Sequence, residues 1–170
     1  MNKKLVIAVP ARLDSKRLPK KILKDINGKP MLKRVLDRCS KYDDNAHIVV
    51  CTDSEIIERE VTEWGYKTKL TSSDCNSGSD RIASVIDEIV YELWNLKVDN
   101  NQKISLEDSL ENTLVVNVQG DQPFFDASLI SKMYQIFLDD PCFQIITPIY
   151  GLKKEDIHNP NVVKTLISNE

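Results

Sequence analysis

The chain has 170 residues, 41% hydrophobic and 29% charged with a net charge of −3, a globular composition with length for one cored domain over 1–170. Residues 1–34 carry 11 Lys and Arg against Asp14 and Asp25, a local excess of +9, while the remainder sums to −12. That asymmetry excludes a broad cationic face for DNA and suits one segment to a compact anion such as a polyphosphate.

Leu5 to Val9 is a continuous apolar run rich in β-branched residues, as expected of a strand buried on both faces. It is too short for a secretory leader and ends in Pro10 and Arg12. No stretch approaches the roughly 20 apolar residues of a membrane helix, so a cytoplasmic protein with no membrane association is expected. The basic segment from Pro10 to Lys29 reads as an exposed loop. A helix is predicted from about Pro30, with Met31, Val35 and Leu36 on one side. His47 to Cys51 reads as a second strand. Ser54 to Trp64 has helical spacing closed by Gly65, with Glu55 and Glu58 early, where they suit the helix dipole.

Lys67 to Leu70 is a weaker strand, followed by a polar loop over Thr71 to Ser77. One helix is predicted from about Ser79 to Trp94, with Ile82, Val85, Ile86, Ile89 and Leu93 facing inward. Residues 97–112 read mainly as a surface insertion, although Ser105 and Asp108 have the spacing to cap a short helical turn. Thr113 to Val118 is a clear strand running into Gln119-Gly120-Asp121-Gln122-Pro123. A helix fits Ala127 to Leu138, and strands fit Gln144 to Ile149 and Val162 to Ile167. This alternation predicts a mainly parallel sheet with helices on both faces, a three-layer α/β/α arrangement of Rossmann-like type. Ligands collect beyond the carboxyl ends of such strands, where the Arg/Lys loop and the Gln119 to Pro123 loop can share one crevice.

Cys39, Cys51, Cys75 and Cys142 are far apart, and the histidines are His47 and His158, so neither a zinc site nor a disulfide framework is encoded. The glycines build neither a Gly-x-Gly-x-x-Gly fingerprint nor a P-loop, which argues against a dehydrogenase and a P-loop NTPase. The first strand is followed instead by Pro10-Ala11-Arg12-x-x-Ser15-x-Arg17-Leu18-Pro19-x-Lys21, then by Ile26-x-Gly28-Lys29-Pro30-Met31. Later come Thr52-Asp53, Ser77-Gly78-Ser79-Asp80-Arg81, Val116-Asn117-Val118-Gln119-Gly120-Asp121-Gln122-Pro123 and Asn159-Pro160-Asn161-Val162-Val163-Lys164.

In order and spacing these motifs resemble the 3-deoxy-manno-octulosonate (Kdo) cytidylyltransferase family, a group with the nucleotide-diphospho-sugar transferase fold. The resemblance covers the chain apart from 97–112. It implies transfer of CMP from CTP to the sugar acid Kdo, giving CMP-Kdo and pyrophosphate for lipopolysaccharide biosynthesis, with Mg²⁺ as cofactor. The family pattern continues past Glu170, so the chain is expected to be its truncated front part. The remainder of that pattern ordinarily supplies sugar-acid contacts, a second magnesium aspartate and much of the contact surface of a homodimer. Cys75 stands where the family usually has a histidine.

The chemistry accounts for the residue types independently. Nucleotidyl transfer builds negative charge on the α-phosphate and the departing pyrophosphate, which fixed cations must meet. Arg12, Arg17 and Lys21 suit that task, arginine as a planar fork and lysine as a point charge; the alternative is a run of solvated loop charges. Pro10 and Ala11 bring this loop to the nucleotide. Asp121 is the expected magnesium ligand, as the resemblance implies, or else a turn residue of the Gly-Asp-x-Pro type. Gln119 either bonds a ribose or sugar hydroxyl or satisfies loop backbone. Ser77 and Arg81 either address an anion or base at a helix start or serve a plain cap. Asp53 either caps the following helix or lines the nucleotide pocket. Arg12, Lys21 and Asp121 are the catalytic candidates, and no histidine is needed. Two other readings stand beside this one: a cytidylyltransferase for another sugar acid of sialic-acid type, and a non-catalytic nucleotide-binding module. RNA binding by the basic head is disfavoured, because residues 1–34 hold no aromatic side chain for base stacking.

Overall fold

A computed structural model gives the structure of the protein and describes residues 3–14, 18–42, 46–96, 105–140 and 142–167. The chain falls into two compact units, Met1–Ile130 and Ser131–Glu170.

The first unit is built on β1 (Lys4–Ala11), β2 (His47–Thr52), β3 (Lys67–Leu70) and β4 (Thr113–Asn117), which form a parallel sheet in the order β3-β2-β1-β4. Side chains of a strand alternate between faces, so β1 has to be apolar on both. Ile7, Val9 and Ala11 enter one core with Leu32, Val35 and Leu36 of α1 (Met31–Cys39) and with Ile57 and Val61 of α2 (Glu55–Glu63). Val6 and Ala8 enter the opposite core with Ile82, Val85 and Ile89. These two cores make the three layers that the alternation predicts. Full burial of a Leu, Ile or Val contributes about 1.5–3 kcal/mol, so the first core carries most of the hydrophobic stabilisation.

Local signals account for the helix ends. Ser54 caps α2, its Oγ accepting from the Ile57 amide at 3.4 Å, and Gly65 takes a φ of 85° just past the helix end. The predicted Ser79–Trp94 helix is two helices, α3 (Gly78–Ala83) and α4 (Ile86–Trp94). The Ser84 hydroxyl donates back to the Arg81 carbonyl at 2.9 Å, and Val85 leaves helical geometry with φ −130° and ψ 9°, which lets both helices press apolar residues on the sheet. Of the insertion, 97–104 lies outside the described residues. Its remainder is α5 (Leu106–Glu111), opened by a Ser105/Asp108 capping box.

The basic segment after β1 is not wholly exposed. Ile22, in a 3₁₀ turn over Lys21–Leu23, is buried in the first core and anchors the loop. Further on, Asn27 and Gly28 take φ of 52° and 83°, a type I′ turn that closes Asp25 against Pro30.

α6 (Ser128–Asp139) spans the division between the units, with Ile130 in the first core. In the second unit the strands expected at 144–149 and 162–167 are absent; among the described residues the unit holds a 3₁₀ turn at Lys154–Asp156. A strand exists through the ladder of a neighbour, and periodicity alone supplies none. Consistent with that, Ile145 is 83% exposed and Leu166 96%. Among the described residues no helix is long and apolar enough to cross a membrane.

Candidate active site

The order β3-β2-β1-β4 means that the chain leaves β1 to one side for β2 and β3, then returns to its other side for β4. This reversal opens a crevice at the carboxyl ends of β1 and β4, where ligands of open α/β sheets bind. The crevice there has a volume of about 230 Å³. Pro10, Ala11 and Arg12 line it from the end of β1, and Gln119, Gly120 and Asp121 from the end of β4. The start of α3 closes it with Ser77, Gly78 and Arg81, and Lys21 enters from the 3₁₀ turn.

Two glycines permit this closeness. A Cβ on Gly78 would lie 2.9 Å from Pro10 Cγ, and one on Gly120 would lie 3.1 Å from the Pro10 carbonyl oxygen and 3.3 Å from Leu32 Cδ1. The three segments therefore meet at Pro10 with no room for another methyl group.

Lys21 Nζ donates to Asp121 Oδ2 at 2.7 Å. Both side chains remain accessible, 35% and 44%, so each can be drawn to a ligand. The Val118 amide donates to the Ala8 carbonyl at 3.0 Å, extending the ladder beyond β4 up to the loop that bears Asp121. Gln119 Nε2 donates to Asn117 Oδ1 at 3.0 Å, and Asn117 Nδ2 donates to Ser79 Oγ at 3.3 Å, a polar chain from β4 to α3 along the crevice rim.

Ser77 caps α3, its Oγ accepting from the Asp80 amide at 3.0 Å. Arg81 is 4% exposed, and its guanidinium donates to Asp53 Oδ2 at 2.8 Å, to the Ser72 carbonyl at 3.3 Å and to the Thr71 hydroxyl. Asp53 is not among the residues lining the crevice, and Ser54 caps α2 in its place; Asp53 serves as the counter-ion of Arg81. Arg17 lies outside the described residues. The remaining sequence candidates, Pro10, Ala11, Arg12, Lys21, Ser77, Arg81, Gln119 and Asp121, share the one crevice.

Cys75 and Asn76 also line the crevice, and neither was a candidate. Their signal in the sequence is position alone, immediately before the Ser77-Gly78 helix start. Cys39 and Cys51 are different: burial pushes both thiols up to about 12. Asp37 lies on α1 away from the crevice. Burial pushes its carboxyl up, but hydrogen bonds from Lys29 and Lys33 outweigh that and hold it below the ordinary value.

The crevice thus offers two accessible cations, a carboxylate and a helix-start cap, a set suited to a phosphorylated ligand with a divalent cation. Comparison with known proteins identifies relatives of the chain. The chain is 36% identical over 97% of its length to 8-amino-3,8-dideoxy-manno-octulosonate cytidylyltransferase of a Shewanella species, covering 61% of that protein. It is 34% identical over 94% of its length to 3-deoxy-manno-octulosonate cytidylyltransferase of Francisella philomiragia, covering 57%. It therefore spans about three fifths of the length of these curated relatives. Among solved structures, CMP:2-keto-3-deoxy-manno-octonic acid synthetase complexed with CTP matches with a TM-score of 0.61 and 32% identity, over 82% of this chain and 49% of that one. The cytidylyltransferase family model matches residues 6–170. With β1, the crevice and its loops all inside that match, the chain belongs to the cytidylyltransferase family.

Proposed function

We propose that the chain is the nucleotide-binding part of a cytidylyltransferase that moves CMP from CTP to Kdo, giving CMP-Kdo and pyrophosphate for lipopolysaccharide biosynthesis. The observation that carries this reading is the convergence of Arg12, Lys21 and Asp121 on one crevice at the sheet's reversal point. The names of the relatives supply the substrate class.

In this reading the anomeric hydroxyl of the sugar acid gives up its proton to solvent as its oxygen attacks the α-phosphorus of CTP in line. The bond from that phosphorus to the bridging oxygen breaks, and pyrophosphate leaves. Arg12 and Lys21 neutralise the phosphate oxygens, which are more charged in the transition state than in bound CTP. Ser77 and Gln119 orient the nucleotide from the rim.

Asp121 fits a magnesium ion as ligand. Mg²⁺ is commonly held by one or two carboxylates and the substrate's phosphates, and Asp121 is an accessible carboxylate beside Lys21, the lysine proposed to meet the phosphates. Among the described residues no cluster of three or more metal-ligating side chains exists, so substrate phosphates would complete the shell. When bound, the ion adds neutralisation of phosphate charge. Lys21 then exchanges its carboxylate partner for phosphate. The site calls for no nucleic acid and no membrane; a homodimer of the full-length form in the cytoplasm completes the proposal.

Calorimetry with CTP, ATP and GTP, each with and without Mg²⁺, tests the reading. Magnesium-dependent binding that favours CTP is expected, and equal affinity for the three nucleotides sinks it. A relative that acts on the 8-amino sugar is as similar to this chain as those named for Kdo, which favours that acid as a second acceptor. Pyrophosphate release with both acids and a sialic acid, using a full-length chain, separates the acceptors. Formation of CMP-sugar by the 170-residue chain itself would eliminate a purely non-catalytic module.

A further inference from the structure

We propose that Arg38 is a positioning residue for the cation-binding loop. It acts through the backbone of Pro123 to Phe125 to hold Asp121 at the crevice. The inference rests on the nucleotide-binding reading above and assigns a role to a residue that does not line the crevice.

Arg38 sits in the last turn of α1, beside the fully buried Leu36 and Cys39, so its Cα is fixed by the first core. From there Nε donates to the Pro123 carbonyl at 2.7 Å and Nη1 to the Phe125 carbonyl at 2.9 Å. Its guanidinium carbon lies 6.0 Å from the centre of the Phe124 ring, which is 69% exposed. One planar fork thus grips three successive residues. A guanidinium holds its donors in a fixed planar fork that fits these two carbonyls together, whereas a lysine ammonium is a compact point charge on a flexible stem and fixes no such plane.

The grip matters because of where the loop is otherwise held. Past β4 the chain makes two turns, with the Gln122 amide donating to Gln119 at 3.1 Å and Phe125 to Gln122 at 3.4 Å. Upstream anchors are the Val118 amide on Ala8 and the packing of Gly120 against Pro10. Downstream, Pro123 is buried and the Phe125 side chain packs against the first core, while Arg38 fixes the carbonyls of both residues. Asp121 lies between, two residues from Pro123, and a swing of the downstream turn would carry its carboxylate away from Lys21. Partners that orient a ligand from outside its own shell typically set about 10–100-fold in metal affinity.

The test uses Arg38→Lys and Arg38→Gln, with CTP binding measured by calorimetry in Mg²⁺ and in chelator and the fold followed by circular dichroism. Both variants are expected to fold, to bind CTP in chelator as the unaltered chain does, and to lose about tenfold or more of the gain from Mg²⁺. An unchanged magnesium gain overturns the inference. So does an equal loss with and without the ion, or failure of both variants to fold, since each makes Arg38 a general stabiliser. If the unaltered chain shows no magnesium-dependent CTP binding, the proposed function falls instead, which keeps the two failures distinct.

Discussion

Lys21 Nζ and Asp121 Oδ2 stand 2.7 Å apart although 100 residues separate them in sequence. One follows β1 and the other β4, so the pair reports directly that these two strands are neighbours. Both side chains are more than a third exposed, and such pairs contribute about 0–1 kcal/mol to stability. In the proposed function both side chains serve the ligand, and that yields opposite expectations for the two single variants. Lys21→Ala removes a phosphate contact and weakens CTP binding about tenfold or more with or without Mg²⁺. Asp121→Asn removes a carboxylate that repels triphosphate and releases Lys21. In chelator it binds CTP at least as well as the unaltered chain, yet it gains nothing from Mg²⁺. Calorimetry on both variants shows the split, and parallel losses in both conditions would contradict it.

The buried pair behaves differently. Arg81 is 4% exposed and Asp53 18%, so water cannot replace either partner cheaply. Asp53→Ala leaves a buried guanidinium short of its counter-ion and is expected to cost about 3–5 kcal/mol. Asp53→Asn keeps an acceptor at the same position and should cost less. Urea denaturation of both variants measures the difference. Equal and small losses would mean that Thr71 and Ser72 suffice to hold Arg81.

These two pairs also show what the sequence makes legible. A basic loop after a buried strand and an Asp after another place Lys21 and Asp121 at one crevice, because a parallel α/β sheet puts such loops at one end; their direct ion pair comes from the structure. Nothing local pairs Asp53 with Arg81: a cap and an ion pair use the same carboxylate oxygens, and only the packing of α3 against β1 and β2 decides between them. Arg38 is invisible for a similar reason, since its targets are carbonyls 85 and 87 residues away with no side-chain signature. The strands expected at 144–149 and 162–167 fail because apolar composition records a tendency to pair, while the ladder depends on a neighbour.

Gly78 and Gly120 test how closely the crevice walls must meet. Gly78→Ala would put a methyl 2.9 Å from the rigid Pro10 ring, so β1 and α3 must separate. Such overpacking costs typically about 1–3 kcal/mol, and here the same shift widens the crevice proposed to hold the nucleotide. Thermal denaturation should show the loss of stability and calorimetry a weaker CTP affinity. Gly28→Ala provides a comparison. Its strain comes from a φ of 83° with open space around it, so it should lower stability and leave CTP binding unchanged.

Cysteine labelling offers a footprint of the site. Cys39 and Cys51 are buried with their thiols pushed up to about 12, so they hold almost no thiolate at neutral pH. Cys142 is exposed, and Cys75 is partly exposed in the crevice wall. A maleimide should modify Cys75 and Cys142 while sparing the other two in the folded chain. CTP with Mg²⁺ should slow modification at Cys75 and leave Cys142 unaffected, as read by peptide mass spectrometry. Equal protection at both thiols would point to a global change instead of occupancy.

His47 gives the chain a sensitivity to mild acid. Burial lowers its pKa below the ordinary 6.5, assisted by the positive charge of Lys67, and among the described residues the buried Nε2 has no hydrogen-bond partner. The folded state therefore favours neutral imidazole more than the unfolded state does. Its contribution is fully present above about pH 6.5 and is lost as the pH falls through the lower, folded value, because the unfolded chain takes up the proton first. Asp37 acts in a separate window. Its depressed carboxyl contributes stability above its ordinary 3.8 that is lost only at still lower pH. Chemical denaturation from pH 7 to 5 should thus show falling stability in the unaltered chain and a flatter profile in His47→Gln, which cannot take up that proton. If both profiles fall in parallel over this range, His47 is not the group responsible.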